Sequence, residues 1–264
     1  MKEKIRIGAL ISGGGTNLQA IIDACESGKI DGNMVFVGSD NPRAKGLGRA
    51  EKHGIPHFVV DYSKIISTYK KNPQDSLLPE DFDLEDMQKK QSFFPADHTP
   101  GKRDFFLKTR AIAEAALLAE MKSYPFDLLV LAGFMRNLTP YFIDRINTDP
   151  AHPRIMNIHP ALLPAFPGTD GYGDTFRYGC RMGGCTVHFI DYGEDSGPIV
   201  GQRAFAIEPA DTLEKVKEKG LRQEWILYPE CIQLFAENRL KTVYADIQAG
   251  EQGKTVSRTI VKIL

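Results

Sequence analysis

The chain is predicted to fold as a doubly wound α/β domain, a mostly parallel sheet with helices on both faces. Three observations predict this. Short continuous apolar runs such as Ile5–Ile11 lack polar alternation, as strands buried on both faces do. Those runs alternate with stretches of helical apolar spacing, a β-α-β-α-β cadence that argues for parallel pairing. The first run also ends in Ser12-Gly13-Gly14-Gly15-Thr16-Asn17, a glycine turn of the kind that joins a buried strand to a helix.

After the glycine turn, Leu18, Ile21, Ile22 and Cys25 mark a helix. A strand, a glycine turn and a helix N-terminus in that order can hold an anion, because unpaired N–H groups and the helix dipole point at the turn. A plain tight connection is the alternative reading. Neither Gly-Lys-Ser/Thr nor a third glycine at dinucleotide spacing follows, which argues against nucleotide hydrolysis and dinucleotide binding. Residues 34–38 read as the second strand, 44–53 as a helix closed by Gly54, and 57–60 as the third strand. His53 and His57 lack ligand-like company and read as structural or surface residues.

From residue 62 to 102 the periodicity breaks down, with an acidic run over 79–86 and the aromatic pair Phe93-Phe94. A structureless loop of this length inside a compact domain is improbable unless it is functional or disordered. The Phe93-Phe94 and Leu77-Leu78 pairs predict that part of it docks, as a lid over a site or against a partner subunit. His98 within it reads as a surface residue. Residues 103–122 have helical spacing and 126–131 form a fully apolar strand. A strand over 154–158, two more over 185–191 and 199–207, and a long helix after Asp211-Thr212-Leu213-Glu214 complete the pattern. That helix opens on a capping-type signature, and Leu213, Val216, Leu221 and Ile226 are expected to face the sheet. The domain is expected over residues 1–245, with 62–102 as an insertion and 246–264 as a strand-like C-terminal extension, a tail or an edge strand.

With 264 residues the chain can bury a full core. A net charge of −1 offers little for nucleic acid or an anionic membrane to recognise, and no segment approaches the roughly 20 apolar residues of a membrane span. The apolar run after Met1-Lys2-Glu3-Lys4 is too short for a signal peptide. Cys25, Cys180, Cys185 and Cys231 lack metal-ligand spacing, so no metal and a reduced, cytoplasmic setting are expected.

The chemistry centres on Asn157-Ile158-His159-Pro160. In a strand, residues 157 and 159 project to one side, and Pro160 ends the ladder where ligands bind in open α/β sheets. After the strand over 185–191, the turn Glu194-Asp195-Ser196-Gly197-Pro198 can return a carboxylate to the imidazole. An amide, an imidazole and a carboxylate suit acyl transfer to an amine, where negative charge develops on oxygen and a proton leaves nitrogen. His188 reads as a hydrogen-bonded residue of the core or near the site and not as the base. A capping Asn157 and a satisfied buried His159 are the structural alternative.

Four blocks in order resemble the folate-dependent formyltransferases: residues 11–19, Leu131-Ala132-Gly133-Phe134-Met135-Arg136, residues 157–168, and Thr186-Val187-His188-Phe189 with Asp195-Ser196-Gly197-Pro198. The resemblance implies a Rossmann-like fold, 10-formyltetrahydrofolate as co-substrate and glycinamide ribonucleotide as acceptor, with no metal. It implies Asn157, His159 and Asp195 as the catalytic set. It places the substrate phosphate and ribose on Gly13, Gly14, Gly15, Thr16, Asn17, Glu224 and an arginine, Arg103 or Arg110. It places the folate against Met135, Arg136, Asn137, Leu138, Ile158 and Pro160. Residues 169–177 depart from the family, whose members usually carry histidines and a short helix there. Partners are expected to be small molecules, with the chain a monomer or homodimer. A formyltetrahydrofolate hydrolase, a formyltransferase acting on another amine, and a non-catalytic folate- or phosphoribosyl-binding module are the alternatives.

Overall fold

The computed structural model describes residues 3–94, 99–249 and 254–264; His98 lies outside the described residues. One seven-stranded sheet dominates. Strands β1 (Ile5–Ile11), β2 (Gly32–Ser39), β3 (His57–Val59), β4 (Leu128–Leu131) and β5 (Ile155–His159) run parallel, and β6 (Met182–Phe189) and β7 (Ile199–Ala206) are antiparallel. The spatial order is β3-β2-β1-β4-β5-β6-β7, so the winding reverses between β1 and β4. Loops leaving the carboxyl ends of strands beside such a switch point form a crevice. The register brings three of them together: Leu10 pairs with Leu131, and Leu131 with Asn157.

Alternation along β1 explains the two packing layers. Ile7, Ala9 and Ile11 face one layer with Leu18, Ile21 and Ile22 of α1 (Thr16–Glu26) and Leu227, Tyr228 and Cys231 of α8 (Leu213–Ala236). Leu10 faces the other, with Leu117 of α5 (Pro100–Met121) and Phe142 of α6 (Pro140–Ile146). Gly8 is required here, because a Cβ would lie 2.2 Å from the Phe36 ring.

Most predicted elements appear with ends shifted by a few residues, and four features differ in kind. First, the helix α3 (Tyr62–Lys71) follows α2 (Gly46–Lys52) and β3, where the sequence pattern had broken down. Tyr62, Ile65, Ile66 and Tyr69 form its inward stripe, and tyrosine at its two buried positions obscured the apolar signal. A second helix, α4 (Leu84–Lys90), packs Met87 on Leu107, Ala111 and Tyr141. Phe93 and Phe94 close on Phe106 with ring centroids 5.7 and 4.9 Å away, so this pair is spent within the chain.

Second, Ile226 does not face the sheet; it is 44% exposed. The inward stripe of α8 runs through Val216, Gly220, Glu224, Leu227 and Cys231, and its glycine and glutamate made the face look polar. Third, residues 171–177 form a short helix, α7 (Gly171–Arg177), despite the departure from the family pattern. Fourth, the C-terminal segment pairs with itself and not with the edge of the main sheet. It forms a hairpin of β8 (Leu240–Ala249) and β9 (Lys254–Ile263), so the division expected after residue 245 falls inside β8. Thr242 ties this hairpin to the body through the carbonyls of Pro150 and Ala151.

Candidate active site

A cleft of about 390 Å³ opens at the switch point. Asn157 and His159 enter it from β5, Asp195 from the turn between β6 and β7, and Glu224 from α8. His159 is buried, and its Nδ1 lies 3.1 Å from Asp195 Oδ2. Its Nε2 donates to the Phe166 carbonyl at 2.8 Å. Both ring nitrogens thus face acceptors, which suits an imidazolium. Burial works against that charge, but the Asp195 carboxylate, the Phe166 carbonyl and the more distant Glu224 outweigh it and raise the His159 pKa. Asp195 is held below the usual carboxylate range: burial pushes it up, and the contact with His159 and the Gly168 N–H, 2.8 Å from Oδ2, pull it further down.

His188 settles how Asn157 points. β5 and β6 place Asn157 opposite His188. The Nδ1 of His188 lies 3.0 Å from the Phe189 carbonyl, which can only accept, so Nδ1 carries the proton. Burial lowers the His188 pKa and keeps the ring neutral. Its Nε2 therefore accepts from the Asn157 amide nitrogen, 3.1 Å away. An amide has two N–H bonds; with one spent on His188, the other remains for the cleft that Asn157 lines. The sequence left His188 as a hydrogen-bonded residue of the core or near the site. The antiparallel register opposite residue 157 is the signal that gives it a task.

Glu224 is 4% exposed. Its carboxylate accepts from Asn17 Nδ2 and from the Tyr172 hydroxyl, each at 2.6 Å. Burial raises its pKa against these two donors. Tyr172, on α7, is a site residue that sequence reading missed. It reaches Glu224 because Gly220 lies beneath it: a Cβ at residue 220 would sit 2.1 Å from the Tyr172 ring. A mid-helix glycine costs about 1 kcal/mol relative to alanine, and here it makes room for the ring.

The glycine turn lies at the same sheet edge as the cleft. Its carbonyls are turned outward: Ser12 O accepts from Asn41, Gly13 O from the Gly46 N–H and Gly14 O from Arg49. The N–H groups of Gly13, Gly14 and Gly15 donate to no other described residue, and Gly15 has φ 69° at the mouth of α1. That arrangement suits an anion. Of the predicted phosphate and ribose residues, Asn17 and Glu224 line the cleft, whereas Gly13, Gly14, Gly15, Thr16 and Arg103 do not. Thr16 instead borders a larger groove, about 1170 Å³, between α1 and α8.

Arg103 stands in the first turn of α5 with Nε buried and unpartnered. Arg110, about two turns further along the same face, is almost fully buried, and its guanidinium lies 5.3 Å from the Tyr62 ring centroid and 4.5 Å from that of Phe106. Arg136 shares the Tyr62 ring and pairs with Asp40 at 2.5 Å. Arg110 therefore stands with the 132–138 turn.

All six predicted folate-wall residues line the cleft. Met135 is 58% exposed, while Leu138 both lines the cleft and packs into the core. Glu114 anchors the turn's far end, accepting from the Thr139 N–H and hydroxyl at 2.8 and 2.5 Å. Among the described residues, no group of three His, Cys, Asp or Glu side chains is placed to hold a metal ion, and no helix is long and apolar enough to cross a membrane.

Residues 5–232 match the family model described as "Formyl transferase". The chain is 34% identical over 236 residues to the phosphoribosylglycinamide formyltransferase of Haemophilus influenzae, covering 89% of each chain. It is 32% identical over 237 residues to the Escherichia coli protein of the same name, covering 90% of each. Among solved structures, glycinamide ribonucleotide transformylase 1 from Symbiobacterium toebii superimposes with a TM-score of 0.70 at 34% identity, covering 100% of this chain and 96% of that one.

Proposed function

The chain belongs to the formyl transferase family, and from that premise we propose that it transfers the formyl group of 10-formyltetrahydrofolate to the amine of glycinamide ribonucleotide, a step of purine biosynthesis. The observation that carries the reading is the meeting of Asn157, His159 and Asp195 in one cleft, with a turn of unpaired amides at the same end of the sheet.

The amine nitrogen attacks the formyl carbon directly, forming the new C–N bond as the carbonyl π pair moves onto oxygen. The free N–H of Asn157 and the imidazolium of His159 stabilise that oxygen. In the free protein the Nε2–H of His159 is directed at Phe166 O, so the oxyanion must share or take over this donor. Asp195 sustains the positive imidazolium, and the proton released by the attacking nitrogen passes through solvent or the His159–Asp195 pair to the departing folate nitrogen as its C–N bond breaks. The glycine turn holds the phosphate, Glu224 the ribose hydroxyls, and the 132–138 turn the pteridine.

The reading is tested by measuring formyl transfer with and without glycinamide ribonucleotide. Product formation that requires the amine is expected; equal formate release without it would establish a hydrolase instead. Tyr172→Phe removes one of the two donors that orient Glu224, a loss of order 1.5–3 kcal/mol for a charged hydrogen bond. The expected result is a KM for the ribonucleotide raised about tenfold or more, with the KM for the folate unchanged, in steady-state kinetics.

A further inference from the structure

We infer that residues 81–94 form a brace for the turn that carries Asp195, and that Tyr192 is the positioning residue through which the brace acts. The inference rests on the role of Asp195 proposed above. Asp195 has φ 51°, a left-handed backbone that few residues with a Cβ adopt, aspartate more readily than most, and contacts from two sides hold it there. From inside the site, the Gly168 N–H and His159 hold its carboxylate. Within the turn, Asp191 Oδ1 accepts from the Gly193 N–H at 3.0 Å and from the Ser196 hydroxyl at 2.6 Å.

The grip from outside comes from the 81–94 segment. The Ser92 N–H donates to the Tyr192 carbonyl at 2.9 Å. The Tyr192 hydroxyl donates to Asp144 Oδ1 on α6 at 2.5 Å. Lys90, the last residue of α4, pairs with Asp144 at 2.8 Å and with Asp86 at 2.7 Å. Burial, with Asp144 accepting the hydroxyl proton, pushes the Tyr192 phenol up to about 12, so it stays a donor. The segment itself is anchored: Met87 is buried against Leu107, Ala111 and Tyr141, and Asp81 binds both Tyr141 and Arg145. Displacing Tyr192 therefore shifts a turn whose active residue lies three positions further along.

The test uses Tyr192→Phe and, separately, Lys90→Met in the full chain, each checked for folding by circular dichroism. In both, kcat is expected to fall about tenfold, a fraction of what a misplacement of about 1 Å can cost, with each KM near its wild-type value. The alkaline limb of kcat is expected to move to lower pH, because His159 loses a firmly placed Asp195 while its other titratable neighbours, Glu224 and the neutral His188, stay in place. Amide exchange at Asp195 and Ser196, measured without substrate, is expected to quicken. Lower thermal stability with unchanged kcat, unchanged pH limb and unchanged exchange at the turn would overturn the brace. Wild-type protein without formyl transfer would overturn the parent reading, and the substrate-free exchange data would still decide the brace.

Discussion

His159→Ala lowers kcat by about 10²–10⁴-fold, the range for removing a positioned proton-transfer group. The same change leaves the substrates bound, since the phosphate turn and the folate wall do not depend on the imidazole. His159→Gln, which keeps a donor but cannot carry charge, is expected to recover a small part of the loss. The pH dependence follows from the sign of the shift. The His159 pKa is raised by Asp195 and Phe166 against its burial, so the imidazolium persists above the ordinary histidine range and is lost as pH climbs through the raised value. Activity that needs it declines on that alkaline limb. Asp195→Asn removes the carboxylate's charge and moves the limb toward lower pH, and a pH–kcat profile of the two proteins checks both statements.

Asn157→Ala lowers kcat by about 10²–10³-fold, as loss of one oxyanion donor does, with little change in either KM. Alanine also orphans His188 Nε2, a buried acceptor that the Asn157 amide satisfies at 3.1 Å. Leaving such a group unpaired costs about 1–3 kcal/mol, so thermal stability is expected to fall with activity. Asn157→Asp removes the same two donors without opening a cavity: it is nearly isosteric, yet its carboxylate neither donates to His188 nor stabilises an oxyanion. Near-normal turnover in either variant would remove Asn157 from the reaction.

The parts of the fold and site legible in sequence share one property: each is written in a short contiguous stretch. The buried strands are continuous apolar runs, the glycine turn is consecutive, and Asn157 and His159 sit two positions apart on one strand. What was illegible depends on partners distant in sequence. Tyr172 touches Glu224 only because Gly220 lies on the inward stripe of α8, and nothing local marks residue 172. The Phe166 carbonyl reaches His159 through backbone at φ 54°, and a main-chain acceptor carries no side-chain signature. His188 was legible only as a residue of the core or near the site, and its task follows from the β5–β6 register. In the 62–102 segment, tyrosines on the inward stripe of α3 hid helical spacing, and α4 spans only seven residues, Leu84–Lys90.

The α1–α8 groove, bordered by exposed Trp225 and Ile226, is larger than the catalytic cleft. Yet it holds neither Asn157, His159 nor Asp195, and the account gives it no part in the reaction. Cleft size therefore does not decide between them; the proposed site rests on convergent polar groups, with the shifted pKa values of His159 and Asp195 beside them.

The most direct measurement is a crystal structure of the protein with glycinamide ribonucleotide and a stable analogue of 10-formyltetrahydrofolate. The analogue's carbonyl oxygen is expected about 2.7–3.1 Å from Asn157 Nδ2, the spacing of a working oxyanion donor, with the ribonucleotide phosphate on the amides of Gly13 to Gly15. A carbonyl bound in the α1–α8 groove, or one in the cleft but turned away from both Asn157 and His159, would contradict the proposed reaction.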